Sequence, residues 1–333
     1  NGLTEAGGTL KAVYDPQPDP ARARKLADTF AEKTGRPVEV VDDFRRILDD
    51  PEIRLVASAA VPSERCAVGL QVLDAGKDYF TDKSPFTTLG QLALARAKVE
   101  ETGRKWMVYY SERLHVESAW HAGELIRQNA VGRVLQVALF APHNLAKPTR
   151  PAWFFDKAKY GGILTDIGSH QFEQFLAFTG SSDATINFAR VENFANPDTP
   201  GLEDFGEASL TTDTGASCYC RIDWFNPGGS KVWGDGRLFI LGTDGSIEIR
   251  KYVDLARGPG DKLFLVDRHD THEIDCRGKV GFPFFGRLIL DCLNRTEHAM
   301  TQAHAFKAAE LAMQAQAFAD ARRSEMGKSQ MAK

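Results

Sequence analysis

Residues 53–86 read IRLVASAAVPSERCAVGLQVLDAGKDYFTDKSPF. The opening run, 53–60, is short, largely apolar and stopped by Pro62, the pattern of a strand buried on both faces. Residues 63–75 then carry apolar side chains at helical spacing up to Gly76, and 78–81 return to a strand. Strand, helix and strand joined by such short connections specify a parallel sheet with helices packed on its faces.

The alternation continues on both sides of this unit. Toward the N-terminus, 1–8 reads as a helix end with a glycine exit, and 9–14 (TLKAVY) as a strand closing at Asp15. After the turn residues DPQPDP come a helix at 21–33, a strand at 38–41 and a short helix at 44–48. Toward the C-terminus, a helix at 89–102 is closed by Gly103 and followed by a strand at 106–110. Ligands of such sheets bind at the carboxyl ends of the strands. A dinucleotide-binding sheet opens with a strand, a Gly-x-Gly-x-x-Gly turn and a helix. The first strand and that glycine loop are not in this sequence. The expectation is a preceding segment of roughly 20–25 residues, most of one half of a βαβ unit.

Past Leu114 the pattern changes. Residues 121–129 are helical by spacing, 132–140 (GRVLQVALF) form a strand, and a proline- and aromatic-rich loop over 141–155 leads to a helix ending at Gly180. Strands follow at 184–193, 207–212, 217–224, 237–242, 246–251 and 262–267, with TDTG and GTDG as turns. Helices at 284–293 and 303–323 close the chain, and the basic tail 322–333 is expected to fray. The expected architecture is α/β. Residues 1–115 form a Rossmann-type parallel sheet without its first strand and glycine loop. Residues 116–333 form an α+β domain with a large, mostly antiparallel open sheet.

The 333 residues carry 41 Lys and Arg against 45 Asp and Glu, a net charge of −4. Both signs are interspersed and no basic block stands out, so nucleic acid is not an expected partner. Apolar runs are too short to span a bilayer, and no cationic start precedes an apolar leader. Five cysteines without a Cys-x-x-Cys pair point to free thiols in a reducing cytoplasm, with no structural zinc.

A second stretch, 160–173, reads YGGILTDIGSHQFE. Asp166 and His170 lie four residues apart, so on a helix they share one face. A carboxylate and an imidazole in one cleft suit acid–base chemistry near neutral pH. A helix-capping aspartate beside an interior histidine would read the same way. Lys83 lies just past the strand at 78–81, where the sheet's ligand belongs, and can donate to a hydroxyl or alkoxide. Asp15, at the end of its strand, can accept both hydroxyls of an adenosine ribose and repels a 2′-phosphate, so NAD is expected over NADP. Ala60, Pro62 and Ser63, at a strand-to-helix switch, let a flat cofactor approach the backbone.

The phrase VLDAGKDYFTDKSPF, followed by GGILTDIGSHQFEQF, resembles the Gfo/Idh/MocA family of NAD(P)-dependent oxidoreductases. The resemblance covers nearly the whole chain. It implies that Lys83 contacts the nicotinamide side and the substrate hydroxyl, that Asp166 binds substrate and that His170 is the catalytic histidine. The implied reaction oxidises a secondary alcohol of a sugar, cyclitol or related polyol, in a homodimer or homotetramer built through the open sheet face. Two departures stand out: the family's Glu-Lys-Pro is Asp82-Lys83-Ser84 here, and its Thr-Pro-Asn is Val61-Pro62-Ser63. Tyr110, Glu112, Arg113 and His115 follow a strand and so border the cleft, and His143, Asn144 and Trp153 precede the catalytic helix. Arg113, His143 and Trp153 are the substrate candidates, the arginine as a cation for a polar or acidic group and the tryptophan as a wall for a sugar face. The rival readings are a cofactor-binding sensor without catalysis, and a metal-dependent isomerase or lyase with Asp166, His170, Glu173 and His143 as ligands.

Overall fold

The computed structural model describes residues 2–16, 20–255 and 257–331. Asn1, residues 17–19 of the DPQPDP turn and the last two residues of the tail, which the sequence reading included, lie outside the described residues. Parallel strands come first. β1 (Ala12–Val13) pairs with β2 (Glu39–Val40), and β3 (Leu55–Ser58), β4 (Asp78–Asp82) and β5 (Trp106–Tyr109) pair in that order, every pair parallel. The two groups are not hydrogen-bonded to one another, so the expected sheet stands in two pieces. β1 is shorter than the expected 9–14 because only Ala12 and Val13 find partners. β3 is an edge strand whose side chains alternate in burial, not a strand buried on both faces; β4, in the middle, is buried almost throughout.

Local chemistry explains the helices between them. Pro62 begins the helix Pro62–Asp74, where a missing N–H costs no hydrogen bond. Thr88 caps the helix Leu89–Thr102 by accepting from the Gln91 N–H, and Gly103, left-handed at φ 63°, ends it.

The second half is one broad sheet. Its strands are β6 (Val134–Pro142), β7 (Ala184–Glu192), β8 (Phe205–Thr212), β9 (Ser217–Asp223), β10 (Arg237–Gly242) and β11 (Ser246–Arg250). A small hairpin of β12 (Val253–Asp254) and β13 (Gly258–Pro259) precedes β14 (Lys262–Val266) and β15 (Thr271–Asp275). The order is β15-β14-β11-β10-β6-β9-β8-β7, antiparallel except where β6 meets β9. Burial alternates: in β10, Leu238 and Ile240 face the core while Phe239 and Leu241 are exposed. β15 (THEID) was not expected from the sequence, because its mostly polar residues carry little apolar alternation and it is an edge strand.

The last helix, Gln302–Met331, runs on where the tail was expected to fray, and packs along β7 and the helix Gly168–Thr179. Its start reaches back to the first half. The Gln302 amide accepts from the Trp106 N–H at 2.8 Å and donates to the Trp106 carbonyl at 2.7 Å, covering the edge of β5 as another strand would. Phe306 packs on Phe86 and Trp106, and the Tyr110 hydroxyl donates to the Ala305 carbonyl at 2.8 Å. These contacts tie β5 and the residues around it to the start of the last helix. Among the described residues no helix is long and apolar enough to cross a membrane, and all five cysteines are free.

Candidate active site

The turn that follows β4 is held by one buried arginine. Arg65 donates from Nε to the Ala60 carbonyl at 2.7 Å, and from Nη1 to the carbonyls of Asp82 (3.1 Å), Lys83 and Ser84 (3.0 Å). One guanidinium thereby fixes the carboxyl ends of β3 and β4 relative to each other. The Lys83–Ser84 peptide is cis. From this turn Lys83 extends its ammonium to Asp166, with Nζ 2.6 Å from Oδ1.

Asp166 and His170 sit on two helices, Ile163–Asp166 and Gly168–Thr179, separated by Ile167. The His170 N–H bonds the Ile167 carbonyl three residues back, a tightened turn. Gly161 and Gly162 precede them with φ of 89° and 95°, and a Cβ on Gly162 would lie 2.3 Å from the Gln316 side chain. The glycine pair is therefore required by backbone conformation and by close packing. The first N–H groups of the helix Ile163–Asp166, buried and without intrahelical acceptors, are met by side chains: Ile163 N–H by Glu203 at 2.9 Å, Leu164 N–H by Gln316 at 3.0 Å.

Behind the Lys83–Asp166 pair lies a buried polar cluster. Glu112 accepts from Lys251 Nζ at 3.2 Å and from Gln171 Nε2 at 2.8 Å, and lies 3.6 Å from His143 Nε2. Lys251 also donates to Gln174 at 2.7 Å. Burial opposes charge on Glu112, yet Lys251 and the neighbouring imidazoles outweigh it and hold the carboxyl at about 2. His170 is driven the other way. Burial, then the Lys83 and Lys251 ammoniums, push it down to about 3 against the pull of Glu112, so at neutral pH it is neutral. His143 is lowered as well, first by burial, and its Nδ1 lies 3.0 Å from the Ala141 carbonyl, leaving Nε2 toward Glu112. Three buried polar atoms here have no hydrogen-bond partner: Glu112 Oε1, His170 Nδ1 and Gln171 Oε1. Such atoms each cost about 1–3 kcal/mol unless a ligand or water meets them.

Lys83, Asp166, His170 and His143 thus lie within electrostatic reach of one another, while Arg113 is committed elsewhere. Arg113 is engaged by Glu173, with Nε 2.8 and 2.9 Å from its two oxygens, and His304 holds the same carboxylate at 3.0 Å. Glu173 is fully buried, and an uncompensated charge there would be costly, so the arginine serves it and not the cleft. Trp153 packs on Phe154 at 5.9 Å; the rings beside His143 are Trp224 at 5.7 Å and Trp233 at 4.6 Å. His115 pairs with Tyr109 away from the cluster. With Glu173 bound to Arg113, the helical metal-ligand set does not assemble, and no group of three or more metal-ligating side chains is found among the described residues. Arg65, Lys251, Gln171 and Gln174 were not candidates from the sequence; a lysine at the end of a strand or an arginine within a helix gives no local signal of a distant partner.

Comparison with known proteins agrees with this arrangement. The family model described as GFO/IDH/MocA C-terminal domain matches residues 120–248. A scyllo-inositol 2-dehydrogenase (NAD(+)) from Bacillus subtilis (strain 168) is 24% identical over 247 residues, which is 71% of this chain and 68% of that protein. A provisionally named oxidoreductase from Erwinia carotovora atroseptica SCRI1043 is 45% identical, with a TM-score of 0.90 over 96% of this chain and 93% of that one. A levoglucosan dehydrogenase, solved with NADH and levoglucosan, is 19% identical and shares the fold at a TM-score of 0.74, covering 94% of this chain and 88% of its own. Sequence motifs, family model and a relative alike over nearly its full length agree: the chain belongs to the Gfo/Idh/MocA family of oxidoreductases.

Proposed function

We propose that the protein is an NAD-linked dehydrogenase that oxidises a secondary alcohol of a sugar, cyclitol or related polyol. The single observation that carries this is the placement of the Lys83–Asp166 pair, 2.6 Å apart, directly in front of a buried neutral histidine cluster. An alcohol oxygen at Lys83 Nζ receives a hydrogen bond that strengthens as alkoxide character develops. Asp166 orients the lysine and a neighbouring hydroxyl. His170 takes the hydroxyl proton at Nε2, and the Glu112 carboxylate beside it is the counter-charge for the imidazolium that forms. The unpartnered Glu112 and Gln171 oxygens and His170 Nδ1 suit a ligand rich in hydroxyl groups.

The residues present fit the cofactor at its two ends. Asp15, two residues past β1 and with Arg22 3.3 Å from it, would meet the adenosine ribose in this reading. Ala60, Pro62 and Ser63 follow β3, and the buried Ser63 and Ser84 hydroxyls are without partners beside Lys83's turn. A nicotinamide held there would supply the hydride acceptor, while His170 takes the proton of the alcohol that becomes a carbonyl. We place the division between cofactor and substrate domains near residue 115, and expect self-association through the outer sheet face, where Phe140, Phe239 and Tyr219 cluster. Titration of the full-length protein with NADH and NADPH, followed by a polyol turnover screen, tests the reading. Saturable NADH binding with turnover supports it, and absence of hydride transfer to any polyol despite NADH binding favours a sensor.

A further inference from the structure

Four cations near the histidine cluster have acidic partners. Lys83 has Asp166, Lys251 has Glu112, Arg113 has Glu173, and Arg65 lies 3.9 Å from Asp82. Arg150 forms no ion pair among the described residues. Its Nε donates to the Leu145 carbonyl at 2.8 Å and its Nη2 to the Asn144 carbonyl at a long 3.5 Å, which leaves Nη1 without a protein acceptor.

The guanidinium is nonetheless fixed in place. It lies over the rings of Phe154 at 4.4 Å, Trp224 at 5.1 Å and Trp233 at 5.6 Å. Rings on its faces hold its plane and remove water, so the NH edge is the side left for a partner. Backbone adds rigidity: Arg150 precedes Pro151 and sits at φ −83°, ψ 138°, the extended conformation that a following proline enforces. The same two tryptophans flank His143, which reaches Glu112, so Arg150 lies one ring layer from the histidine cluster. Phe154 and Trp224 are buried while Trp233 is 53% exposed, so the ring layer runs from the core to the surface, and the Asp166 carboxylate is near enough to act on the Arg150 guanidinium.

We propose that Arg150 selects sugar or cyclitol substrates that carry a carboxylate, recognising it through the free edge of its guanidinium. This rests on the dehydrogenase reading above. The planar fork matches a carboxylate, and the surrounding rings lower the local dielectric, which strengthens the pair. The experiment is paired turnover with NAD by the full-length protein, comparing uronates and aldonates with their uncharged counterparts, in wild type, Arg150→Met and Arg150→Lys. The expected result is a preference for the acids of roughly 10- to 100-fold in kcat/KM, carried mainly by KM. That preference should vanish in Arg150→Met, return in part in Arg150→Lys, and shrink with added salt. Unfolding curves of each variant separate loss of the loop from loss of recognition. Turnover of neutral polyols with no acid preference, or a preference untouched by Arg150→Met in a folded protein, overturns the proposal and leaves the dehydrogenase reading standing. Absence of turnover with every acid and neutral substrate, despite NADH binding, overturns both.

Discussion

Two lysine–carboxylate pairs lie close together in this molecule and differ in what they are free to do. Lys251 and Glu112 are buried, 0% and 5% exposed at the side chain, and both have further partners in Gln174 and Gln171. Lys83 and Asp166 are 18% and 12% exposed, and Asp166 is the sole side-chain hydrogen-bond partner of Lys83 among the described residues. A buried ion pair cannot exchange partners without leaving a charge uncompensated. The more exposed Lys83–Asp166 pair is less constrained. The first sets the field in which the histidines titrate, and the second is the one proposed to meet the substrate.

Substitutions sharpen or break that contrast. Lys83→Ala and His170→Ala should each lower turnover by about 10²- to 10⁴-fold, with NADH affinity within a few-fold of wild type. Stopped-assay turnover beside cofactor titration reads both, and near-normal turnover in either variant removes the assigned roles. Lys251→Met, by contrast, leaves Glu112 buried and unpaired and should cost about 3–5 kcal/mol of stability in urea unfolding. Lys83→Met should cost less than about 1 kcal/mol, and equal losses in the two would erase the distinction. Arg65→Lys offers one ammonium where a fork now holds four carbonyls, so the Lys83 turn should shift; a fall of roughly 10- to 100-fold in kcat with little change in Tm is expected.

The most gradual effect is the response to pH. His170 lies at about 3 against an ordinary 6.5, principally through burial. Its stability contribution is whole above 6.5 and is lost as pH falls toward 3, at up to about 1.4 kcal/mol per pH unit. Glu112 and Glu173, both held at about 2 against burial, contribute above 4.5 and lose it as pH falls toward 2. Asp261, raised by burial to about 6, acts oppositely, losing stability as pH rises from 3.8 to 6. The difference between wild type and His170→Asn isolates the histidine: between pH 6.5 and 4.5 the variant's Tm should fall less steeply. Parallel curves would show that His170 is not held neutral by burial.

Legibility followed the range of the interaction. The parallel order of β3, β4 and β5 was readable because each helix between them is bounded by its own signals, Pro62 and Gly76, Thr88 and Gly103. Lys83, Asp166 and His170 were readable because each lies within a short motif. β15 was not, since its polar edge sequence pairs only through β14. Arg113 was misplaced for a related reason: its neighbours in sequence border the cleft, but Glu173, sixty positions away, takes its charge.

The sequence by itself determined the class of fold, the two strand patterns and the three residues proposed for the chemistry, because periodicity, caps and glycine turns act over a few residues. Tertiary structure decided which charges are neutralised and which remain available. Arg113 pairs with Glu173, Lys251 with Glu112, and Arg150 rests among three rings with no ion pair among the described residues. The energy of a charge depends on the burial and partners that distant segments bring to it, and spacing along the chain carries none of that information.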